Sequence, residues 1–515
     1  MLARIQSFIL SGIDAQPCEI EVDVGEAGMS NEQIVGLANA AVKESMDRVR
    51  AAILNTGYRF PQNRILVNLA PADVRKEEPV YDLPIAIGML TADGSISRTR
   101  CERQGGLDPR AHLFAGELAL DGRIRPIRGA LSVAALARKR GLKGVVVPAE
   151  NAPEASVVEG VDVYGVQTLA EAVALIHAEI PREPVPPADV RGLIQLTNAD
   201  IDFAEVKGQE GVKRAMTVAA AGMHNILMLG PAGTGKTMMA RALPGILPSL
   251  SPQEAVEITR IYSAAGRLNG STAAGLITKR PVRTPHHTAS AIAVIGGGKV
   301  PAPGEISMAH QGVLFLDELP EFPRAVLDTL RQPLESGDVT ISRAHSSASF
   351  PANFMLVAAM NPTASGEMPA NETGRREMKR YLGRISRPLI DRIDIHVEAP
   401  AVPWKDLSAT DRKPGTSTAQ MRDRVASARE RQRARQGETL NARLRGKDLD
   451  TLAPMTDDAR AMLGGALTEL GLSARAYDKI RRVARTIADI DAAETIDIAH
   501  IAEAIQYRLL DREGV

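Results

Sequence analysis

At 515 residues the chain is too long for one hydrophobic core, and the usual size of a domain gives roughly three of them. The 62 basic and 62 acidic side chains cancel to a net charge of zero, which excludes a whole-molecule field as the means of attracting nucleic acid and leaves that work to local clusters of charge. The two cysteines, Cys18 and Cys101, stand far apart, which excludes a disulfide framework or a cysteine zinc site and points to a reducing cytoplasm.

The stretch Met1–Ile13 has one short apolar run, but Asp14, Glu19 and Glu21 follow without a small-residue cleavage site, so no signal peptide is expected. No apolar run is long enough to cross a bilayer, and even the Ala-rich stretch from Ala130 is broken by Arg138 and Lys139. Residues 1–178 alternate strand-like segments, such as Ile65–Leu69 and Val145–Val147, with helix-like ones, such as Asn31–Leu54 and Ala130–Arg140. They are read as an α/β domain. A segment with four prolines, Ile180–Asp189, then marks a linker over residues 179–198, because proline fits neither a helix interior nor a central strand. A second α/β domain over residues 199–400 is expected from the apolar strands Ile226–Leu229, Val313–Leu316 and Phe354–Ala358, in the pattern of a parallel nucleotide-binding sheet. Residues 401–515 open with a polar stretch containing Pro and Gly. Helical periods follow without clear strands, at Thr418–Gln436, Thr456–Leu470 and Arg475–Asp489, and predict an all-helical domain.

Chemistry concentrates in the second domain. Gly230-Pro231-Ala232-Gly233-Thr234-Gly235-Lys236-Thr237 fits G-x-x-x-x-G-K-[ST] between an apolar strand and a helix expected from Met238. Glycines let backbone N–H groups wrap phosphates, and the following helix N-terminus adds favourable partial charge. Lys236 is assigned to the β- and γ-phosphates of ATP and Thr237 to Mg²⁺. About eighty residues later, Val313-Leu-Phe-Leu-Asp-Glu318 is a buried-strand pattern ending in two carboxylates, Asp317 for the metal and Glu318 to polarise the attacking water. Such a strand end is common by itself; its position downstream of the phosphate loop gives it weight. Together the two motifs imply hydrolysis.

Three further residues have two readings each. Asn361 orients the water from a neighbouring strand, or caps the turn before Pro362. Arg392 stabilises γ-phosphate charge from an adjacent subunit, or pairs with Asp391 or Asp394. Arg475 reaches back to the nucleotide from the helical domain, or is an ordinary exposed helix arginine.

The order of the phosphate loop, Arg283-Thr-Pro-His-His-Thr288, Ile295-Gly-Gly-Gly298, Pro303-Gly-Glu-Ile-Ser307, Val313–Phe322 and Leu389-Ile-Asp-Arg-Ile-Asp394 resembles the magnesium-chelatase-like AAA+ ATPases of the YifB/ComM family, over essentially the whole chain. The resemblance implies a P-loop AAA+ core with a helical lid, a sensor-1 role for Asn361, an arginine-finger role for Arg392 and a sensor-2 role for Arg475. It further implies a homo-hexameric ring, since a finger supplied in trans needs a neighbour at each site. Its implied activity is ATP-driven branch migration or helicase action on DNA in natural transformation or recombination. The alternative from another class is a chelatase-like or chaperone ATPase that remodels a protein partner. In one respect the chain departs from the family: many members carry cysteines after the sensor-1 Asn-Pro, whereas Asn361-Pro-Thr-Ala-Ser-Gly366 and the twenty residues beyond have none.

Residues 1–178 resemble the S5-type proteolytic domain of Lon proteases, in Gly116–Ile127 and Gly144–Asn151. By that resemblance the serine nucleophile falls on Ile85 and the lysine base on Leu131, and neither side chain can do the chemistry. Ser132 and Lys143 are the available substitutes, though a lone Ser or Lys near a helix is usually just exposed.

For the substrate, the arginine-rich stretch Arg422–Lys447 reads either as a DNA-contacting face or as a solvated helix balanced by Asp423 and Glu430. Lys299, in the glycine-rich Ile295–Val300, is the candidate for touching DNA backbone in the centre of a ring, against the plainer role of a surface hairpin. Such contacts imply weak sequence selectivity toward branched or single-stranded DNA. The missing dyad predicts that the purified protein degrades no unfolded substrate such as casein, with or without ATP. Degradation that a Lys236 substitution abolishes would overturn that expectation.

Overall fold

The computed structural model describes the chain except residues 26–30, 98–104, 198, 269–274, 299, 344–345, 364–371, 403–414, 509 and 511–515. Cys101 and Lys299 therefore lie outside the described residues. The N-terminal part is built on a mixed sheet. Its strands β1 (Leu2–Ser11) and β2 (Asp14–Val24) form an antiparallel hairpin, turned at Gly12 with φ 64°. Strand β3 (Glu32–Val35) pairs parallel with β4 (Ile65–Ala70), and β4 runs antiparallel to β2. Beyond β5 (His112–Phe114) and a small hairpin of β6 (Glu117–Leu118) and β7 (Ile124–Arg125) come β8 (Gly144–Pro148) and β9 (Asp162–Val166). The sheet order is β3-β4-β2-β1-β5-β8-β9.

Strand β3 corrects the helix expected over Asn31–Leu54. Ile34 and Val35 favour a pleated conformation, Gly36 at φ 102° ends the strand against β4, and the helix proper occupies Ser45–Asn55. A short apolar run cannot be told from a helix by its period alone.

The proline-rich connection is bound at both ends. Val185 N–H donates to Val163 O at 2.8 Å, and Gln195 N–H to Thr278 O at 3.2 Å. Beneath it, Leu131 and Val157 of the N-terminal part pack with Leu250, Ala255, Ile258 and Leu276, beside the helix Pro252–Ala264. Thus Leu131 is interface core, whereas Ile85 is core of the first sheet. Ser132 is also buried and donates to Ile13 O at 2.6 Å, while Lys143 is exposed, so the two substitutes are tied to different surroundings.

The next region contains β10 (Ile226–Leu229), β11 (Val282–Arg283), a hairpin β12 (Gly296–Gly297) and β13 (Ala302–Pro303), β14 (Val313–Leu316), a hairpin β15 (Asp338–Arg343) and β16 (Ser346–Pro351), β17 (Met355–Met360) and β18 (Ile395–Glu398). Five of these form an all-parallel sheet in the order β11-β14-β17-β10-β18. Its alternating side chains feed two cores: Ile226, Met228, Phe315 and Val357 face one way, and Leu227, Leu229, Leu316 and Ala358 the other. A sheet buried on both faces explains the unbroken apolar runs. Each fully buried aliphatic side chain contributes about 1.5–3 kcal/mol of burial free energy.

The C-terminal helices Thr418–Gln436, Asp457–Glu469, Ala474–Ile490 and Ile498–Gln506 share the first of those cores through Met421, Val425, Ile480, Val483 and Ile487. A buried polar chain links them to the sheet. His224 Nε2 lies 2.7 Å from Thr486 Oγ1, Asn441 Nδ2 donates to Thr486 at 3.0 Å and to Asp489 at 2.7 Å, and Asp489 accepts from Arg435 at 2.6 Å and Arg485 at 3.0 Å. With Arg485 and Asp489 each 1% exposed at the side chain, neither charge can be hydrated if the other is removed. Asp489→Ala should cost about 3–5 kcal/mol in denaturant unfolding. A change below about 1 kcal/mol would show that the carboxylate does not hold this region together.

Candidate nucleotide site

Strand β10 runs into the loop Gly230–Thr237, and the helix Lys236–Ala242 begins two residues earlier than the sequence suggests. The glycines are sterically required. A Cβ on Gly230 would lie 2.1 Å from Ala399 O, and Gly233 and Gly235 have φ of 77° and 87°. Nothing stands within 4 Å of the Cβ direction at Gly233, so the space beside the loop is open there. Lys236, 7% exposed, donates to Gly230 O at 2.6 Å, Pro231 O at 2.7 Å and Asn361 Oδ1 at 3.1 Å. Burial lowers its pKa from the ordinary lysine value, and the Asp317 charge opposes that shift.

Strand β14 delivers Asp317 beside the loop, where its Oδ2 accepts from Thr237 Oγ1 at 2.7 Å. A hydroxyl and a carboxylate side by side are hard oxygen donors of the kind Mg²⁺ takes. Glu318 follows in the left-handed region with φ 51°, its side chain half exposed. Its own N–H donates to Asp317 Oδ1 at 3.0 Å. Asn361, at the end of β17, touches the lysine, so the structure brings Lys236, Thr237, Asp317 and Asn361 into one cluster.

Arg392 and Arg475 lie elsewhere, together. Both line a pocket of about 320 Å³ with Glu335, Arg443, Arg445 and Arg482, and none of Gly230–Thr237, Asp317 or Glu318 lines it. Arg392 pairs with Glu335 and donates to Pro388 O at 2.8 Å, not to either neighbouring aspartate. A hydrogen bond and charge from Arg392, joined by the charges of Arg475 and Arg445, hold the Glu335 carboxyl below the usual carboxylate range. Asn225 braces the Arg392 turn: its Nδ2 donates to Arg392 O at 3.3 Å and its Oδ1 accepts from Leu356 N–H at 2.9 Å.

Part of the arginine-rich stretch, including Arg424 and Arg433, is exposed, and part of it bonds within the protein. Arg422 donates to Gly245 O at 2.6 Å, Arg431 to Asp489 O at 2.8 Å and Arg435 to Asp489, so these side chains tie the helix to its neighbours, although Arg431 is still exposed. Charge runs show no direction in sequence. Other residues of the site went unnoticed for the same reason. Gln209 Nε2 donates to Pro400 O at 2.6 Å and Thr234 O at 3.4 Å, tying the loop to the segment after β18. His287 Nδ1 stands 3.5 Å from Glu318 Oε2. Of the two, only His287 carries a signal in the sequence, as part of Arg283-Thr-Pro-His-His-Thr288.

Comparison with known proteins matches residues 202–407 to the family described as magnesium chelatase, subunit ChlI, residues 20–151 to subunit ChlI of Mg-chelatase, and residues 415–508 to magnesium chelatase, subunit ChlI C-terminal. The chain is 42% identical over 513 residues to an uncharacterised YifB protein of Salmonella typhimurium, covering 99% of this chain and 98% of the relative. It is 42% identical over 516 residues to competence protein ComM of Haemophilus influenzae, with 99% and 98% covered. The magnesium-chelatase 38 kDa subunit of Cereibacter sphaeroides is 27% identical over 241 residues, which is 44% of this chain and 71% of that subunit.

In the wall of the basic pocket, Asp394 is buried, with Lys479 Nζ at 2.8 Å and His224 Nδ1 at 3.8 Å. Burial lowers the pKa of His224, and burial together with the Arg508 and Lys479 charges puts His396 well below its ordinary value. A histidine with a depressed folded pKa contributes stability above its unfolded pKa of about 6.5 and loses it as pH falls. Acidifying from about pH 7.5 to 5.5 should therefore cost about 1 kcal/mol for each of the two in denaturant unfolding, and His396→Leu should lessen the slope. Stability that is flat across this window would contradict the burial of neutral imidazoles.

Proposed function

Because the chain belongs to the YifB/ComM family of magnesium-chelatase-like proteins, we propose that it is a cytoplasmic AAA+ ATPase that works as a ring on DNA and not as a protease.

 The observation that carries this reading is the cluster of Lys236, Thr237, Asp317 and Asn361 around an open glycine loop. Within residues 199–400, taken as the ATPase domain, the loop Gly230–Thr237 would bind the phosphates of ATP. Lys236 would exchange its carbonyl partners for β- and γ-phosphate oxygens, and Thr237 and Asp317 would hold Mg²⁺, which supplies charge neutralisation on the phosphates when bound. Glu318 acts as general base toward water, and Asn361 orients that water.

The distribution of arginines supports the ring reading. Arg392 and Arg475 share a pocket without any phosphate-loop residue, so they would meet a γ-phosphate bound by another copy. Six copies are inferred from the family resemblance. In this form Arg475 reaches the nucleotide from the helical domain of a neighbouring copy. The helical residues 401–515 then act as the lid that carries Arg475 toward the neighbour, and residues 1–178 serve recognition or assembly. DNA as the substrate is supported by the relative named competence protein ComM, and branch migration or helicase action on branched or single-stranded DNA is the finer form of the proposal. Similarity to a magnesium-chelatase subunit favours the second reading, an ATPase that remodels a protein partner.

ATPase rates of the purified protein with single-stranded, duplex and four-way DNA separate the two. Stimulation by DNA, with junction processing, is expected. Rates that ignore every DNA form, at low salt where rings assemble, would turn the choice to a protein partner. In the same assay Lys236→Ala should lose nucleotide binding, while Glu318→Gln keeps it and loses about 100-fold or more in kcat. Arg392→Ala should bind ATP without hydrolysing it, and mixing it with Glu318→Gln should restore activity where an intact Arg392 meets an intact Glu318. Undiminished hydrolysis by Arg392→Ala alone would remove its role in trans.

A further inference from the structure

The motif Arg283-Thr-Pro-His-His-Thr288 takes no part in the phosphate-loop contacts, yet it ends against the carboxylates of β14. His287 Nδ1 lies 3.5 Å from Glu318 Oε2. Its ring is fixed by two others. The His286 imidazole overlaps it with centroids 4.1 Å apart, and the Phe322 ring meets it edge-on at 6.4 Å. His286 is held in turn by Thr288, whose N–H donates to His286 Nδ1 at 3.3 Å and whose hydroxyl lies 2.8 Å from the same nitrogen. Phe322, 3% exposed, is anchored in the core just past the short helix Leu319–Glu321 that follows Glu318. The strand end before the histidines is pinned as well, since Arg283 forks onto Glu305 at 2.5 and 2.8 Å.

Glu318 needs such support. Its side chain is 51% exposed, and its backbone sits at φ 51°, where an L residue is rarely found. An exposed glutamate samples several rotamers, and a base that is out of line with its water loses most of its effect. A ring flanked by a tilted imidazole, at 33° between planes, and by an aromatic edge can select one of those rotamers at small entropic cost.

We propose that His287 is a positioning residue for the ATPase reaction, its Nδ1 side holding the Glu318 carboxylate in the orientation from which it acts on water. The inference rests on Glu318 being the base, and it adds to that reading a task for the His-His motif. His287 acts through Glu318.

The test uses the full-length protein in steady-state ATPase assays, with nucleotide affinity measured separately by a fluorescent ATP analogue. His287→Ala should lower kcat about ten-fold with KM for ATP within about two-fold of wild type. His287→Asn, whose amide nitrogen stands near the position of Nδ1, should recover a large part of that loss. The double variant His287→Ala/Glu318→Gln should be no slower than Glu318→Gln alone, because the ring has nothing left to position. A merely structural role would lower the rate in both backgrounds. The proposal is overturned if His287→Ala keeps kcat within about two-fold of wild type, or if it slows Glu318→Gln by the factor it imposes on the wild type. Wild-type hydrolysis by Glu318→Gln would instead overturn the reading of the base itself. Should His287→Ala lose nucleotide affinity, His287→Gln takes its place: it fills the same space with its amide one bond too far out, and the same fall in kcat is expected.

Discussion

A buried ammonium group is the constraint on which the nucleotide site depends. Lys236 sits at the start of its helix with Gly230 O, Pro231 O and Asn361 Oδ1 as partners, and a charge this enclosed is tolerable only while those oxygens remain in place. Two of them belong to the loop and one to the end of β17, so the lysine joins the loop to the strand beside β10. The approach of Ala399 O to Gly230 closes the loop from the side of β18. Three parallel strands are thereby locked at one edge of the sheet, where a phosphate can replace carbonyl oxygens around the same cation without leaving it unpaired.

The opposite side is organised by a helix with two polar faces. Along Ala474–Ile490, Arg475, Lys479 and Arg482 line the basic pocket, while Arg485, Thr486 and Asp489 lie in the buried chain that reaches Asn441 and His224. Lys479 joins the faces by pairing with Asp394, four residues before the end of β18. The position of Arg475 relative to Arg392 is therefore set by interactions that cannot slide independently: breaking one leaves a buried charge or donor without its partner. Rigid presentation of two arginines is what stabilising charge on a neighbour's phosphate would demand.

Sequence made the parallel sheet legible because its strands are buried on both faces and read as continuous apolar runs, as at Ile226–Leu229 and Val313–Leu316. The phosphate loop was legible because its glycines answer a steric need that no other residue meets. The strand Glu32–Val35 was not, since its partner Ile65–Ala70 lies thirty residues on and only the pairing distinguishes it from the first turn of a helix. Side-chain direction was hidden as well. Nothing in the spacing of Arg422, Arg431 and Arg435 says that they bond to groups of the protein itself, and nothing in Arg475 says which end of the sheet its helix faces. His287 and Glu318 are separated by thirty residues of chain and meet only because β11 and β14 are neighbours.

The same reasoning bears on the N-terminal part. In the Lon-like resemblance, Leu131 stands where a lysine base would be, and in this fold it is 1% exposed and packs with Ile258 and Leu276 across the contact between the two sheets' regions. Its N–H donates at 2.8 Å to Glu154, whose carboxyl also meets Ser263 and is pushed up by burial. A lysine at this position would have to bury an ammonium group among aliphatic side chains or break the contact to hydrate it. The apolar side chain at this position therefore has a packing role of its own. The leucine that cannot act as a base is one of the side chains through which the N-terminal part is joined to the ATPase core.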